Sequence, residues 1–515
     1  MDFSVVILAA GAGSRMYSSK PKVLHTICGK PMIDMILTQA LSVSDDVRVV
    51  LYHQKDAIES YLRAHFSAHF ASGALAIHIQ DHANLPGTGG ALLEIAPESK
   101  ADSNAESTPE SSAPNKQALR FKHKRVVVLN GDMPLILSSS IESIAKTKAS
   151  AVVGVIELEN PQGYGRVVLS SAPNLDSASN LDSAASRQDS ASKLDSASKS
   201  PESTMPRISR IVEQKDCDEK EAQIKLVNAG IYAFDTHILE ANLPKISNNN
   251  AQKEYYLTEI IALIVQQEKS ASQNSDTNTS AAKSNDTSAS IAPFYISQDE
   301  FIGVNTKYEL SIAESMQLRK LRKQAMDKGV IMRLPETIYL ESSVVFEGEC
   351  EIENNVRLCG DTKIIRSHIK AGSVVEDAII DSSDIGPMAR VRPKSHIKNT
   401  HIGNFVEAKN AHMQGVKAGH LSYLGDCEIG EGSNIGAGVI TCNYDGKKKH
   451  KTTIGKNVFI GSDSQLIAPV NIESDTLIAA GSSITADVKE GELAISRAKQ
   501  QNKSGFFYKF FGKTR

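Results

Sequence analysis

Two groups of residues in this sequence have types and spacing suited to chemistry. The first is Leu8-Ala-Ala-Gly-Ala-Gly-Ser-Arg-Met16, followed by Lys20-Pro-Lys-Val-Leu24. A glycine-rich turn after a strand presents backbone N–H groups to a phosphate with no side chains in the way. Arg15 adds a charge-assisted contact and Lys22 a second positive charge nearby. The spacing matches neither a Walker A loop nor the dinucleotide fingerprint. Asp132 follows the apolar run Val126–Leu129 and is the natural carboxylate for Mg2+. That ion takes one or two carboxylates and fills its shell with phosphates and water. Such a set suits phosphoryl-type transfer, which depends on positioning and charge neutralisation more than on covalent chemistry.

The second group is Arg390-Val-Arg392-Pro393, Gly403-Asn-Phe-Val-Glu-Ala-Lys409, Lys417-Ala-Gly-His420-Leu-Ser-Tyr423-Leu-Gly-Asp426, Asn434-Ile-Gly-Ala437 and Thr441-Cys-Asn443-Tyr444. Histidine is the side chain best suited to take a proton near neutrality. A lone histidine is usually a satisfied surface or core residue, and most of the 14 here carry no further signal. His420 differs in sharing its stretch with Arg, Lys, Tyr and Asn.

The elements that must carry these residues change character along the chain. Before residue 310, buried-strand patterns at Val5–Ala10, Val47–Tyr52, Ala76–Gln80, Arg125–Leu129 and Ala151–Ile156 alternate with helical stretches such as Met32–Ser42 and Lys55–Phe66. This predicts an α/β domain with a mostly parallel, Rossmann-like sheet, whose strand ends and loops hold ligands. Residues 306–328 have helical spacing and read as a linker helix ended by Gly329. Beyond it, Ile454, Ile460, Leu466, Ile472, Ile478 and Ile484 stand six apart, as do Ile385, Val391 and Ile397, and Ile429 and Ile435. A six-residue beat is the signature of a parallel β-helix. Residues about 18 apart then stack vertically, so the second group shares one crevice. Thr441–Gly446 breaks the beat, as a loop leaving the coil would. The expected organisation is 1–305 as the first domain, 306–328 as the linker helix and 329–515 as the β-helix with a terminal tail.

Three stretches, at about 99–119 (rich in Ser, Ala, Pro and Glu), 170–205 (near-repeats of Leu-Asp-Ser-Ala) and 269–290 (Ser, Ala, Asn, Asp and Thr), read as disordered surface insertions. The segment Gly505-Phe-Phe-Tyr-Lys-Phe-Phe-Gly512 fits neither domain. Its aromatic and basic character leaves open membrane-surface association, subunit packing or a disordered end.

Composition removes other classes. Lys+Arg (57) nearly balance Asp+Glu (60), which argues against nucleic-acid binding by bulk charge. Trp is absent, which disfavours a stacking platform for single strands. The six cysteines form no CxxC pair, so neither a disulfide framework nor a zinc site is expected. No apolar run approaches the ~18 residues of a membrane span, and a soluble, cytoplasmic protein is expected.

Further marks follow the glycine-rich turn in order: Gln80, Gly87-Thr88-Gly89, Asn130-Gly131-Asp132, Gly163-Tyr164-Gly165-Arg166, Glu213, Asn228-Ala-Gly230 and Gly303-Val-Asn305. The series resembles the sugar-nucleotide pyrophosphorylases. With KAGHLSYLGD it resembles the bacterial bifunctional UDP-N-acetylglucosamine pyrophosphorylase / glucosamine-1-phosphate N-acetyltransferase family, over residues 3–499 apart from the insertions. The resemblance implies a left-handed β-helix and a homotrimer. It also implies acetyl transfer from acetyl-CoA to glucosamine-1-phosphate, then uridylyl transfer from UTP to N-acetylglucosamine-1-phosphate.

By the same resemblance, Leu8, Ala9, Ala10, Gly11, Lys22, Gln80, Gly87, Thr88, Asn130, Gly131, Asp132, Gly165, Glu213, Asn228 and Asn305 bind the uridine sugar nucleotide, with Arg15 beside them. Asp132 and Asn305 hold Mg2+. Arg392 and Lys409 grip the sugar phosphate, Tyr423 and Asn434 hold the hexosamine, and His420 is the base. Ala437, Asn443, Tyr444, Ser462, Ala480 and Arg497 line an acetyl-CoA site between subunits. The chain departs from the family pattern in three places. Gly90 stands where His is frequent, Asn130 where Tyr is common, and the step from Lys409 to His420 is one residue short. The alternative is a single-activity sugar-nucleotide pyrophosphorylase whose β-helix only regulates or trimerises.

Overall fold

The structure, a computed structural model, describes residues 2–95, 116–170, 207–274 and 291–514. Most of the three low-complexity stretches lies outside these residues. Their margins are built into the fold. Lys116–Ala118 pairs antiparallel with Leu93–Ile95, Leu119 is buried, and the helix Glu259–Asn274 runs past residue 269. Hydrophobic residues at those margins find partners distant in sequence, which composition does not reveal.

The chain divides into two compact units, residues 1–27 with 31–313, and 28–30 with 314–515. In the first, strands β1 (Ser4–Leu8), β2 (Val47–Leu51), β3 (Leu75–Ile79) and β4 (Arg125–Asn130) are parallel in the order β3-β2-β1-β4. Alternate residues of β1 enter opposite cores, Val5 and Ile7 on one face and Val6 on the other. A strand buried on both faces needs the continuous apolar run seen here. The helix Met32–Leu41 covers one face with Ile33, Ile36, Leu37 and Ala40, spaced for one helical stripe.

The sheet is mixed beyond β4. Strands β5 (Ala151–Glu157), β6 (Arg166–Ser170), β7 (Arg207–Val212) and β8 (Leu226–Asp235) form its antiparallel half. The strand Ile291–Tyr295 returns parallel to β5. The pairing of β8 with β5 breaks register between Asn228 and Tyr232, where Gly230 takes a φ of +72°. This bulge re-aims Asn228.

In the second unit every strand pair is parallel among the described strands. One aliphatic residue per face stacks coil on coil. One column runs Ile352, Ile369, Ile385, Ile402, Ala418, Ile435, Ile460, Ile478, Ala494. A second runs Leu340, Leu358, Val375, Val391, Ala408, Leu424. The third runs Phe346, Ile364, Ile380, Ile397, Met413, Ile429, Ile454, Ile472. Each fully buried isoleucine contributes about 1.5–3 kcal/mol. The coils are tighter than the regular eighteen-residue expectation. Ile369 and Ile385 are 16 residues apart and Ile385 and Ile402 are 17. These turns pass through left-handed residues such as Asp377, Ser382, Lys394 and Asn399, which round a corner in fewer steps. From Ile435 to Ile460 the step is 25, because residues 443–450 leave the coil as a loop.

Candidate functional site

In the first unit the glycine-rich turn leaves the end of β1. Gly13 has a φ of +61°, and a Cβ there would lie 2.8 Å from Lys22 Cβ, so glycine lets Lys22 approach the turn. Lys22 Nζ donates to Asp132 Oδ2 at 2.7 Å and to Asn305 Oδ1 at 3.0 Å. The Val304 N–H donates to the Asp132 carbonyl at 2.9 Å, tying the two segments together. Two oxygen donors from distant segments thus converge on one positive charge. This fits a hard divalent cation with Asp132 and Asn305 as its protein donors. Among the described residues no group of three or more His, Cys, Asp or Glu is placed to hold a metal, so phosphate and water oxygens must complete such a shell.

Asn305 is positioned by a device not read from the sequence. The Asn305 and Thr306 N–H groups donate to Glu309 Oε2 at 2.7 and 2.8 Å, and the Glu309 N–H donates to Thr306 Oγ1. Thr306-x-x-Glu309 is a capping box at the start of the helix Lys307–Asp327, and the T-x-x-E spacing was its available signal.

Two adjoining cavities open here. One of about 490 Å3 is lined by Leu8, Ala9, Ala10, Gly11, Lys22, Gln80, Gly87, Thr88, Asn130 and Asp132, together with Tyr52, His82 and Glu254. The other, about 280 Å3, is lined by Asn130, Asp132, Gly165, Glu213, Asn228 and Asn305, with Tyr164, Tyr256, Thr258 and Phe301. Gly131 lies just behind the wall, and a Cβ on it would meet the Leu8 carbonyl at 2.9 Å. Arg15 does not line either cavity. It is exposed in the turn Ser14–Met16, whose buried residue is Met16.

Inside the larger cavity, Gln80 is buried and its Nε2 donates to the Leu85 and Gly87 carbonyls, bracing the Gly87–Gly90 loop. The family resemblance leads to the expectation of a histidine at the position of Gly90. Here a Cβ would meet the Leu85 carbonyl at 2.1 Å, so this loop has no room for one. Asn130 reaches over Gly230, where a Cβ would lie 2.3 Å from Asn130 Nδ2. Glu213 accepts from Thr258 Oγ1 at 3.2 Å, and burial pushes its carboxyl above the usual range. Asn228 Nδ2 donates to the Tyr232 hydroxyl at 2.6 Å. Arg166, in the Gly163–Arg166 motif, is buried. It donates to the Tyr164 carbonyl and Gln214 Oε1, so it shapes the turn and does not reach the cavity.

In the second unit Arg392 Nη1 pairs with Glu407 Oε1 at 2.8 Å. Lys409 lies against Lys449, with Arg392 nearby, and this repulsion holds the Lys409 amine below the usual lysine range. Lys449, on the loop that leaves the coil, was not anticipated. The three cations outnumber the nearby Glu407 and Asp426 carboxylates, and the excess positive charge suits a phosphate monoester. Tyr423 lies within the electrostatic reach of Arg392. Its ring folds over Gly425, where a Cβ would lie 2.5 Å from the Tyr423 hydroxyl and 2.8 Å from Asn443 Nδ2. Asn443 is buried and donates to Asp426 Oδ2, while Asn410 donates to Asp426 Oδ1 at 2.6 Å. The short coil that removes one residue between Lys409 and His420 keeps Lys409 in register with Gly425.

His420 is exposed, pairs in register with Asn404, and its imidazole makes no hydrogen bond or ion pair among the described residues. The Asp463 N–H donates to the Ala437 carbonyl, the Gly481 N–H to the Ser462 carbonyl, and Arg497 Nη1 to the Ala480 carbonyl. Ala437, Ser462, Ala480 and Arg497 therefore follow one corner from coil to coil. Continuing the register Lys417–Asn434 and Ala418–Ile435 places His420 at the head of that row. Asn434 lies on the adjoining sheet face, and Tyr444 is exposed on the loop.

Residues 5–197 match the MobA-like NTP transferase domain and residues 451–486 the hexapeptide repeat of succinyl-transferase. The chain is 49% identical over 511 residues to the bifunctional protein GlmU of Helicobacter hepaticus, covering 99% of this chain and 98% of that one. It is 47% identical over 508 residues to the protein of the same name from Aliarcobacter butzleri, covering 99% and 98%. It is likewise 47% identical over 513 residues to that of Nitratiruptor sp., covering both chains in full.

Proposed function

Because the chain belongs to the GlmU family of bifunctional proteins, we propose that its two activities reside separately in the two clusters described above. The protein is a uridylyltransferase and a glucosamine-1-phosphate acetyltransferase of UDP-N-acetylglucosamine synthesis. Supporting the first assignment is the convergence of Lys22, Asp132 and Asn305 at the wall of a cavity rimmed by the glycine-rich turn. Supporting the second is the Arg392–Lys409–Lys449 cluster beside Tyr423.

In uridylyl transfer, a phosphate oxygen of N-acetylglucosamine-1-phosphate attacks the α-phosphorus of UTP and pyrophosphate leaves. Backbone N–H groups of residues 10–13 cradle phosphate, and Lys22 neutralises the charge that grows on it. Gln80 holds the loop that borders the base, while Glu213 and Asn228 meet sugar hydroxyls. Mg2+, held by Asp132 and Asn305, supplies charge neutralisation on the phosphates when bound.

In acetyl transfer, Arg392 and Lys409 hold the sugar phosphate, with Tyr423 and Asn434 on the hexosamine. His420 takes a proton from the amine, whose nitrogen attacks the thioester carbonyl carbon of acetyl-CoA. The thiolate of CoA leaves and recovers the proton. Ala437, Asn443, Tyr444, Ser462, Ala480 and Arg497 form the acetyl-CoA groove.

Hexapeptide repeats point to oligomerisation. The specific assembly we infer is a homotrimer, supported by the exposed, unpartnered imidazole of His420 and the exposed apolar residues Met388, Phe405 and Leu421 beside it. No helix among the described residues is long and apolar enough to cross a membrane. All six cysteines are free, in keeping with a cytoplasmic location.

One preparation should release CoA thiol with acetyl-CoA and glucosamine-1-phosphate, and pyrophosphate with UTP and N-acetylglucosamine-1-phosphate. Chelation with EDTA should stop pyrophosphate release and leave thiol release unchanged. Chelator-resistant pyrophosphate release would remove Mg2+ from the Asp132–Asn305 assignment.

Gly425→Ala is the sharper probe of the second cluster. The added methyl must displace the Tyr423 ring and Asn443 together. Acetyl transfer should lose about 10- to 100-fold in kcat/KM for the sugar phosphate, as misplacement of a positioning group does. Pyrophosphate release should stay at the wild-type rate. Unchanged acetyl transfer would remove Tyr423 from the sugar site.

A further inference from the structure

Residues 499–515 differ from the rest of the chain in charge and in ring content. They carry Lys499, Lys503, Lys509, Lys513 and Arg515 and no Asp or Glu, in a chain whose net charge is −3. Five of the six residues Phe506–Phe511 are aromatic, although aromatics make up only 5% of the chain. These six form a helix bounded by Gly505 and Gly512, both with left-handed backbone. All five rings are exposed, Phe510 at 70%, and none joins the buried core of the β-helix. The ring contacts lie within the segment, with Phe506 and Phe510 centred 5.9 Å apart and Phe507 and Phe511 4.8 Å apart. Lys513 Nζ lies 5.9 Å above the Phe507 ring.

At 3.6 residues per turn, Phe506, Phe510, Phe507 and Phe511 fall within an arc of about 140°, with Tyr508 and Lys509 each about 60° beyond one of its two edges. Lys503 and Lys513 flank the two ends. A short amphipathic helix with aromatic rings on one side and cations on the other and at its ends matches a lipid interface. The rings enter the acyl boundary while the ammonium groups stay at the level of the phosphates. The uniform positive charge selects an anionic surface. We propose that residues 499–515 are a docking patch for an anionic lipid bilayer, which brings the enzyme reversibly to a membrane face. Several patches on one assembled β-helix would act together and strengthen a contact that is weak for one copy.

The test is flotation of the full chain with vesicles of phosphatidylethanolamine and phosphatidylglycerol, and with vesicles of phosphatidylcholine alone. The wild type should float with the anionic vesicles only, and added salt should release it. The double variant Phe507→Glu/Phe510→Glu and the triple variant Lys503→Glu/Lys509→Glu/Lys513→Glu should each lower the bound fraction at least about ten-fold. Both should keep the two enzymatic rates, because these residues lie outside both clusters. A chain ending at Asn502 provides a control that lacks the helix and should not float. Absence of wild-type flotation overturns the proposal, as does flotation of both variants at the wild-type level. A smaller assembly for the variants in light scattering, without any wild-type flotation, assigns the rings to packing between copies. Binding of a single-stranded RNA in preference to the vesicles assigns the charge to nucleic acid. Either result overturns the lipid assignment.

Discussion

His420→Ala is expected to lower acetyl transfer about 10²–10⁴-fold, the usual contribution of a general base, and to leave uridylyl transfer at the wild-type rate. The amine of a hexosamine phosphate is mostly an ammonium ion near neutrality, so a nucleophile exists only after a proton is removed. In the proposed reaction the Arg392–Lys409–Lys449 cluster would fix the phosphate end, and the row from Ala437 to Arg497 would lead the thioester toward the histidine. The imidazole makes no hydrogen bond or ion pair among the described residues and is exposed. Its removal therefore leaves no buried group unpaired, and the loss reports chemistry rather than folding. Thiol release at saturating acetyl-CoA is the measurement, taken across pH. The variant can use only amine that is already unprotonated, so its deficit against the wild type should shrink as the pH is raised. Near-normal release by His420→Ala would remove His420 from the mechanism and leave proximity as the main source of rate.

Asp132→Ala is expected to reduce uridylyl transfer by at least about 10³-fold while thiol release continues unchanged. The figure is the upper end of what losing a single electrostatic stabiliser costs, and here a full charge is lost. Asp132 and Lys22 are only 21% and 11% exposed, so the field between them is not fully screened by water. The variant leaves Lys22 with the neutral Asn305 oxygen alone and removes the one carboxylate at the point of convergence. The backbone bond from the Val304 N–H to the residue 132 carbonyl survives the substitution, so local structure should be retained. Asp132→Asn keeps the shape and loses the charge, and should fall nearly as far. Asp132 and His420 belong to different compact units, which is why the losses should separate. If thiol release fell together with pyrophosphate release in a folded variant, the two-cluster assignment would be wrong.

The parallel strands were legible because each is mostly apolar, broken internally only at Arg48 and His78, and the observed strand ends lie within two residues of those read from the sequence. Of the antiparallel half only Ala151–Glu157 was legible, because Arg166–Ser170 and Arg207–Val212 pair across the intervening residues 171–206 and no local period reports that. The six-residue beat identified the β-helix because each coil repeats one aliphatic per face. It overstated the coil length, since left-handed corners shorten several coils without disturbing the buried columns.

In the first cluster the residues assigned to the sugar nucleotide border the cavities, apart from Gly131, just behind the wall, and Arg15, which the buried Met16 leaves facing solvent. Tyr52, His82, Glu254 and Thr258 reach the same cavities from loops with no spacing to mark them. Arg166 shows the converse. A motif arginine beside the Gly163–Gly165 turn serves packing, and nothing in its sequence context separates packing from binding. In the second cluster Lys449 went unread because it stands in a run of lysines that resembles a solvated face.

The stacked columns of the β-helix carry a consequence for how it comes apart. A coil touches only the coil above and the coil below, so its persistence is a sum of nearest-neighbour terms and opening starts at an end. The last coil is the weak one. Leu493 and Ala494 pair on one side only, and Leu493 and Ile495 are already more than half exposed. Ala480 and Arg497 sit at this fraying end, whereas Arg392 and Lys409 are held many coils inside it. Gentle heating should therefore unravel the proposed CoA groove while the proposed sugar-phosphate cradle is still intact, so donor affinity fails before acceptor affinity within a single folded chain.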